Sequence, residues 1–478
     1  MKVMKFGGTS IAAAERIEHA LDLVETALAT DRVTVVASAF GGVTDQLIEL
    51  MELALAGNDY ATGLAELQRR HRKMVYRLVN RADEAAVFGQ IQIAITDFRD
   101  LLEKIRQNSE LSDQDRDRGM SCGEYLSTLI VAAALRSRGL EAEQLDARQV
   151  VLTDDHFGQA FVHYQKSYDR IRTYLRGRTW LQVVTGFIGA TEDGRTTTLG
   201  RSGSDYTAAI FGAALNAGVI EIWTDVDGIM SADPRVIKGA GTIPHLTYEE
   251  AMELAHAGAR VIFPPTTIPA LYKGIPIHIR NTLNSGHPGT LITRSRKLNG
   301  EVAVGISSLS DITLIRLQGA GMVGRYGVIG RTFAALAQEK INIILVSQVF
   351  SEHSICFAID PCETPQAVAA LEQEFSFEME NRYIDEIKVE EHLSLMALVG
   401  EGMRQCPGIA GRVFNTLGRK NINVIAIAQG SSERNISFII NDFNQKKALL
   451  ALHAEFFVYA DQQAGTVLNL PQNAGGIS

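Results

Sequence analysis

Cysteine is scarce. Cys122, Cys356, Cys362 and Cys406 are the only four in 478 residues, and none has CxxC spacing. That scarcity excludes a disulfide framework and a cysteine-built zinc site, and it suits a reducing cytosol. No uninterrupted run of about 18 apolar residues is present to cross a bilayer. No cleavable leader is expected either, because Lys5 and two glycines interrupt the first apolar run. Excess positive charge is missing too. The net charge is −9, so neither nucleic acid nor an anionic membrane has an electrostatic reason to bind. The GxxxxGK[ST] phosphate loop and the protein-kinase set of glycine loop, HRD and DFG do not occur. A cytoplasmic, soluble protein is expected.

The bulk is ordinary, 46% hydrophobic and 21% charged, in a chain longer than one core usually supports, so two or three domains are expected. Up to about Thr293, short β-branched runs alternate with helical patterns. Residues 33–37, 181–184 and 219–223 read as buried strands; 12–29 and 123–138 read as helices. This alternation predicts an α/β layer with a largely parallel sheet. The charged, mostly helical stretch from about Gly57 to Gln114 reads as an insertion or lid.

The C-terminal third repeats itself. Leu314–Asp360 aligns without a gap onto Leu395–Asn441, matching Gly319/Gly400, Met322/Met403, Gly330-Arg331/Gly411-Arg412, Asn342/Asn423, Gln348/Gln429 and Ser351-Glu352/Ser432-Glu433. Each copy reads strand, glycine turn, helix, strand, polar turn, strand, a duplicated supersecondary unit. Residues needed only for packing would be apolar where both copies keep Gln-x-x-Ser-Glu. A near dinucleotide fingerprint at Gly319–Gly324 belongs to this repeat and is not read as a cofactor site.

Five stretches carry candidate chemistry. The opening Lys5-Phe6-Gly7-Gly8-Thr9-Ser10 ends a strand in a glycine turn with a cation, which suits phosphate but equally an edge strand and its turn. Ser38 to Thr44 places small residues and hydroxyls at a strand's carboxyl end, where open α/β sheets bind ligands. Glu124 stands where a helix becomes apolar, a costly place without a cation, unless it is a first-turn acid favoured by the helix dipole. In Gly200-Arg201-Ser202-Gly203-Ser204-Asp205 the arginine fork suits a carboxylate. Ser204 or Asp205 there either caps the next helix or faces a reaction centre, with Asp205 orienting Lys5 or a metal ion. Thr224 and Asp225 suit a base or ribose, and Arg235 a phosphate; the acidic spacing lacks the EF-hand pattern.

In this order the stretches resemble the aspartokinases of the amino-acid-kinase superfamily, across essentially the whole chain. KFGGTS, GRSGSDYTAA, IEIWTDVDGI and the late IAIAQGSSERNIS carry the resemblance most specifically. It implies an amino-acid-kinase (carbamate-kinase-like) αβα sandwich over 1–295 and two ferredoxin-like ACT domains over 306–390 and 391–465. It implies ATP phosphates held by Lys5, Gly7, Gly8 and Thr9. Aspartate would be bound by Ser38, Thr44, Glu124 (on the ammonium) and Arg201 (on a carboxylate), with Ser204 and Asp205 completing the centre. Thr224, Asp225, Arg235 and Arg260 would serve the nucleotide. ATP with Mg²⁺ is the implied cofactor and 4-phospho-L-aspartate the product; no protein-built metal site is implied. Many relatives carry tyrosine at Met230, lysine at Arg260 and histidine at Phe263, which puts the nucleotide contacts in question.

A carboxylate substrate is already anionic near neutral pH, so it needs positioning and charge compensation rather than a general base. The residues offered, a lysine, an arginine, hydroxyls and backbone amides, match that need. In the repeats, Gln348 and Gln429 can both donate and accept, as a small hydroxylated amino acid between two modules would require. The pattern resembles the threonine-sensitive type and the kinase half of aspartokinase–homoserine dehydrogenase. Threonine is therefore the expected inhibitor, with lysine the other possibility, and a homodimer or homotetramer paired through ACT domains is expected. Two alternatives stand beside this: a kinase for another acid, as glutamate 5-kinase and acetylglutamate kinase are, and a non-catalytic amino-acid sensor on a degraded kinase.

Overall fold

A computed structural model describes residues 1–258, 263–298, 300–322, 326–348 and 354–457. Arg260, Ser351 and Glu352 lie outside the described residues. The chain forms two compact units, one from 1–229, 242–251 and 263–296, the other from 230–241, 252–258 and the described residues after 296.

The first unit runs β1 (Lys2–Phe6), α1 (Ala14–Leu28), β2 (Val33–Ala37), α2 (Val43–Leu55), α3 (Ala61–Leu78), α4 (Arg81–Asn108), α5 (Asp113–Ser137), β3 (Ala142–Leu145) and α6 (Tyr164–Leu175). It continues with β4 (Leu181–Thr185), β5 (Ile188–Ala190), β6 (Thr196–Thr198), α7 (Gly203–Leu215), β7 (Val219–Thr224), β8 (His245–Thr247), α8 (Tyr248–His256, which crosses into the second unit), α9 (Pro264–Lys273), β9 (Ile277–Asn281) and β10 (Thr290–Thr293). Eight strands form one sheet in the order β3-β4-β2-β1-β7-β9-β10-β8, parallel except where β10 meets β9. The β-branched runs of β2 and β4 are buried at every position, as expected of strands covered on both faces. The order reverses at β1, flanked by β2 on one side and β7 on the other, and such a switch point opens a crevice beyond the strand ends.

Met4, Phe6, Val33, Val35, Ala37, Leu181 and Val183 point into one core cluster with the buried faces of α1–α5. The stretch expected to be an insertion or lid is part of this core. Leu67, Val75, Val87, Ile91, Phe98 and Leu102 of α3 and α4 are nearly inaccessible members of the cluster, because most of the charges on those helices fall on their outer faces.

The second unit contains β11 (Gly305–Gln318), α10 (Val328–Gln338), β12 (Leu345–Gln348), β13 (Ser354–Ile359), α11 (Thr364–Glu374), α12 (Ser376–Glu380), β14 (Glu386–Val399), α13 (Ile409–Arg419), β15 (Ala426–Ala428), β16 (Asn435–Asn441) and α14 (Gln445–Phe456). Its antiparallel sheet has the order β12-β13-β11-β14-β16-β15. The long strands β11 and β14 each serve both copies. Gly305–Leu309 pairs with Leu395–Val399, and Leu314–Gln318 pairs with Glu386–Glu390, with the register shifting between them. The second copy therefore takes its fourth strand from ahead of the first.

Several repeated residues are explained by packing. A Cβ on Gly319 or Gly321 would meet the Tyr383 backbone at 2.3 and 2.6 Å, and one on Gly400 or Gly402 would meet Val302 O and Glu301 O at 2.5 and 2.0 Å. In both copies, then, the glycines admit a crossing backbone. Arg331 and Arg412 stack on Phe375 and Phe456 at 4.6 and 4.5 Å and pair with Glu374 and Glu455.

Candidate active site

Strand alternation settles Lys5. Met4 and Phe6 face the α1–α5 cluster, so the side chain between them points to the opposite face, where α7 packs against β1. There Lys5 Nζ comes within 2.6 Å of Asp205 Oδ1, with both side chains about nine-tenths buried. The contact is an ion pair without hydrogen-bond alignment, since Oδ1 has no hydrogen-bond partner among the described residues. Ser202 caps α7 in a left-handed conformation without a side-chain bond. Neither Ser204 nor Asp205 is therefore the cap; both are buried in the first turn, facing the strand ends.

Two glycine loops meet beside this pair. Gly41 N–H donates to Gly8 O at 3.0 Å, and a Cβ on Gly8 would stand 2.9 Å from Ala39 O. Gly7 N–H is taken by Trp223 O, while Gly8 and Thr9 open a single helical turn, whose first N–H groups have no acceptor within it. Gly42, at φ 80°, starts α2 and brings Thr44 into its first turn. A glycine from a third loop closes the group: a Cβ on Gly186, just beyond β4, would lie 2.5 Å from Ser204 Oγ.

Glu124 lies in the middle of α5, whose first turn carries Asp113 and Asp115 instead, so it is not the first-turn acid that one reading allowed. Its side chain is buried against the loop after β2. Ser127 Oγ donates to Ser38 O at 2.7 Å, and a Cβ on Gly123 would touch Ala39 Cβ at 2.8 Å. Oε2 has no partner among the described residues. Burial pushes this carboxyl up to about 8, opposed by the Ala39 N–H. An acid held in this way accepts a cation readily, because ionisation then occurs against a partner.

The remaining candidates separate. Thr224 ends β7, and its carbonyl accepts Thr282 N–H at 2.8 Å; Asp225 beyond it is exposed. Arg201 is exposed in the turn before α7 and bonds to no described residue. Arg235 belongs to the second unit, where it is exposed and forks onto Asp233. Gln348 ends β12 and Gln429 follows β15, both exposed. Those edge strands approach each other, with Ser347 Oγ donating to Ile427 O at 3.3 Å.

Sequence reasoning passed over three residues at this site. Gly186 had a readable signal, a glycine directly behind a buried strand. Arg70 and Asp117 had none, being charges among many on charged helices. Arg70 of α3 donates to Gly41 O at 2.6 Å, and Asp117 of α5 is wholly buried and accepts three hydrogen bonds.

Residues 1–281 match the family model described as amino acid kinase family, and residues 315–375 and 396–456 match an ACT domain. The chain is 35% identical over 96% of its length to a bifunctional aspartokinase/homoserine dehydrogenase of Haemophilus influenzae, of which it covers 56%. It spans about half the length of the bifunctional relatives that it matches. Its fold matches that of E. coli aspartokinase III in complex with aspartate and ADP (R-state) with TM-score 0.80 and 31% identity, covering 96% of this chain and 100% of that one. The same enzyme in complex with lysine and aspartate (T-state) matches with TM-score 0.75 at 31% identity, covering 96% and 99%.

Proposed function

We propose, for a chain that belongs to the amino acid kinase family and within it to the aspartokinases, that it transfers the γ-phosphoryl group of ATP to the β-carboxylate of L-aspartate, giving 4-phospho-L-aspartate. The observation that carries this reading is Glu124, a carboxyl buried on an α-helix with one oxygen unpartnered among the described residues. It suits a substrate with a free α-ammonium and discriminates against an acylated amine, which brings no cation.

The chemistry is positioning and charge compensation. Lys5 offsets negative charge on the transferring group, held meanwhile by Asp205. The N–H groups of the Gly8 turn meet phosphate oxygens. Ser38, Thr44 and Arg201 fix the substrate's carboxylates while Glu124 holds its ammonium, and Thr224 and Asp225 serve the nucleotide, with Arg235 and Arg260 assigned to it from sequence. The substrate oxygen is already ionised, so no residue here needs to remove a proton from it. Mg²⁺ would be carried mainly by phosphates and water, with Asp205 the carboxylate best placed to share it; once bound, it would neutralise phosphate charge.

The tandem repeats belong to the same reading as an amino-acid effector site that includes Gln348 and Gln429. Threonine is the favoured effector and lysine the other; the lysine complex of the E. coli relative supports an amino acid in this role. A cytoplasmic homodimer or homotetramer paired through the ACT repeats completes the reading. No helix among the described residues is long and apolar enough to cross a membrane.

A coupled assay of ADP formation with aspartate, glutamate and N-acetylglutamate tests the function. Turnover confined to aspartate supports it. Turnover of another acid instead, or amino-acid binding without ADP formation, refutes it.

A further inference from the structure

We propose that Asp117 is a positioning residue that fixes the turn carrying Arg201 relative to Glu124, an inference that rests on the aspartate reading above. Asp117 and Glu124 are two helical turns apart on α5, close to one face of that helix. The Asp117 side chain is fully buried, and its oxygens reach two separate segments. Oδ2 accepts the Thr198 N–H at 2.8 Å and the Gly158 N–H at 2.9 Å, while Oδ1 accepts the Thr198 hydroxyl at 2.7 Å.

Thr198 is the last residue of β6, three positions before Arg201. Between them Gly200 turns left-handed at φ 74°, where a Cβ would stand 3.2 Å from Gln159 Cγ and 3.4 Å from Gly158 O. Asp117 thus holds both the strand that leads into the turn and the loop on which the turn rests. On the far side, Leu199 N–H donates to Phe187 O at 2.8 Å and Phe187 N–H to Thr207 Oγ1 at 3.0 Å. Arg201 itself bonds to nothing described, so its place depends on this scaffold. A substrate with an ammonium at one end and carboxylates at the other needs Glu124 and Arg201 at a fixed span. The helix bearing Glu124 sets that span through Asp117.

The test is steady-state kinetics of Asp117→Asn in the full chain, with Thr198→Val as a milder second variant and Arg201→Ala as the reference. Thermal melting establishes that each is folded. The expected result for Asp117→Asn is a rise in KM for aspartate of roughly ten- to a hundredfold, as for a displaced positioning group, with KM for ATP within about twofold. Thr198→Val, which loses one of the three bonds, shifts aspartate KM the same way by less. In an Arg201→Ala background, Asp117→Asn adds little further change, because the residue acts through that arginine. Equal effects on both KM values, unchanged KM for aspartate in both folded variants, or full additivity with Arg201→Ala overturns the inference. If Asp117→Asn does not fold, Thr198→Val decides alone. A wild type that makes no ADP with aspartate overturns the reaction and this inference together; an active wild type beside unaltered variants overturns the inference only.

Discussion

Lys5 Nζ stands 2.6 Å from Asp205 Oδ1, joining the carboxyl end of the central strand to the first turn of a helix about two-thirds of the kinase unit away in sequence. The pair sets a lysine ammonium against a carboxylate in a largely buried place. Lys5→Ala is expected to lower kcat by at least about a hundredfold, the usual scale for losing a preorganised charge. It also leaves a buried carboxylate unpaired, at a stability cost of about 3–5 kcal/mol. Asp205→Ala added to it should restore part of that stability without activity. Denaturant unfolding of the single and double variants measures both.

Glu124→Gln separates stability from function. The folded carboxyl titrates near 8, well above an ordinary glutamate, so between roughly pH 4.5 and 8 the native state binds more protons than the unfolded one. Wild-type stability therefore falls as pH rises through that window. Glutamine cannot ionise, so the variant should melt higher than wild type at pH 8 and similarly near pH 4.5, while aspartate-dependent turnover collapses. The same titration predicts that aspartate binding releases a proton near pH 7, visible as a buffer-dependent heat in calorimetry.

Arg201→Lys tests the planar fork. A lysine keeps the charge but loses bidentate geometry, so KM for aspartate should rise about tenfold with kcat for ATP-saturated enzyme changed less. Equal kinetics for the two residues would remove Arg201 from the carboxylate.

Gly8→Ala tests the meeting of the two glycine loops. Its methyl would stand 2.9 Å from a backbone oxygen, which cannot rotate aside, so one loop must move. A loss of roughly 1–3 kcal/mol is expected from overpacking, together with a raised KM for ATP.

Initial rates titrated with threonine, lysine and both together identify the effector. Threonine should inhibit, and Gln348→Ala or Gln429→Ala should raise the concentration needed while leaving the uninhibited rate intact. Inhibition by lysine alone would refute the threonine assignment.

The α/β layer was legible because several buried parallel strands are rich in β-branched residues, as at Val33–Val36, and the duplication was legible because identical packing demands leave identical glycines. Lys5, Gly8, Glu124 and Asp205 could be picked out because each is a residue type costly or unusual at its position. Asp117 and Arg70 could not. A charge on a long polar helix looks solvated until a distant strand or loop is found to need it, and Thr198 and Gly41 stand far from them in sequence. The segment 57–114 misled for a related reason: charge on the outer faces of α3 and α4 obscured an inner face that completes the core.

The sequence by itself determined the local chemistry of this protein, meaning which strands are buried, where glycines open turns, and which stretches carry a phosphate-compatible cation or an isolated acid. Those properties follow from side-chain type and spacing over a few residues. Only the tertiary structure decided which of these groups share a site, because parallel strands bring together residues hundreds of positions apart. Pairing β1 between β2 and β7 gathered Lys5, Glu124, Ser204 and Asp205 at one end of one sheet, a consequence of strand order that no local pattern encodes.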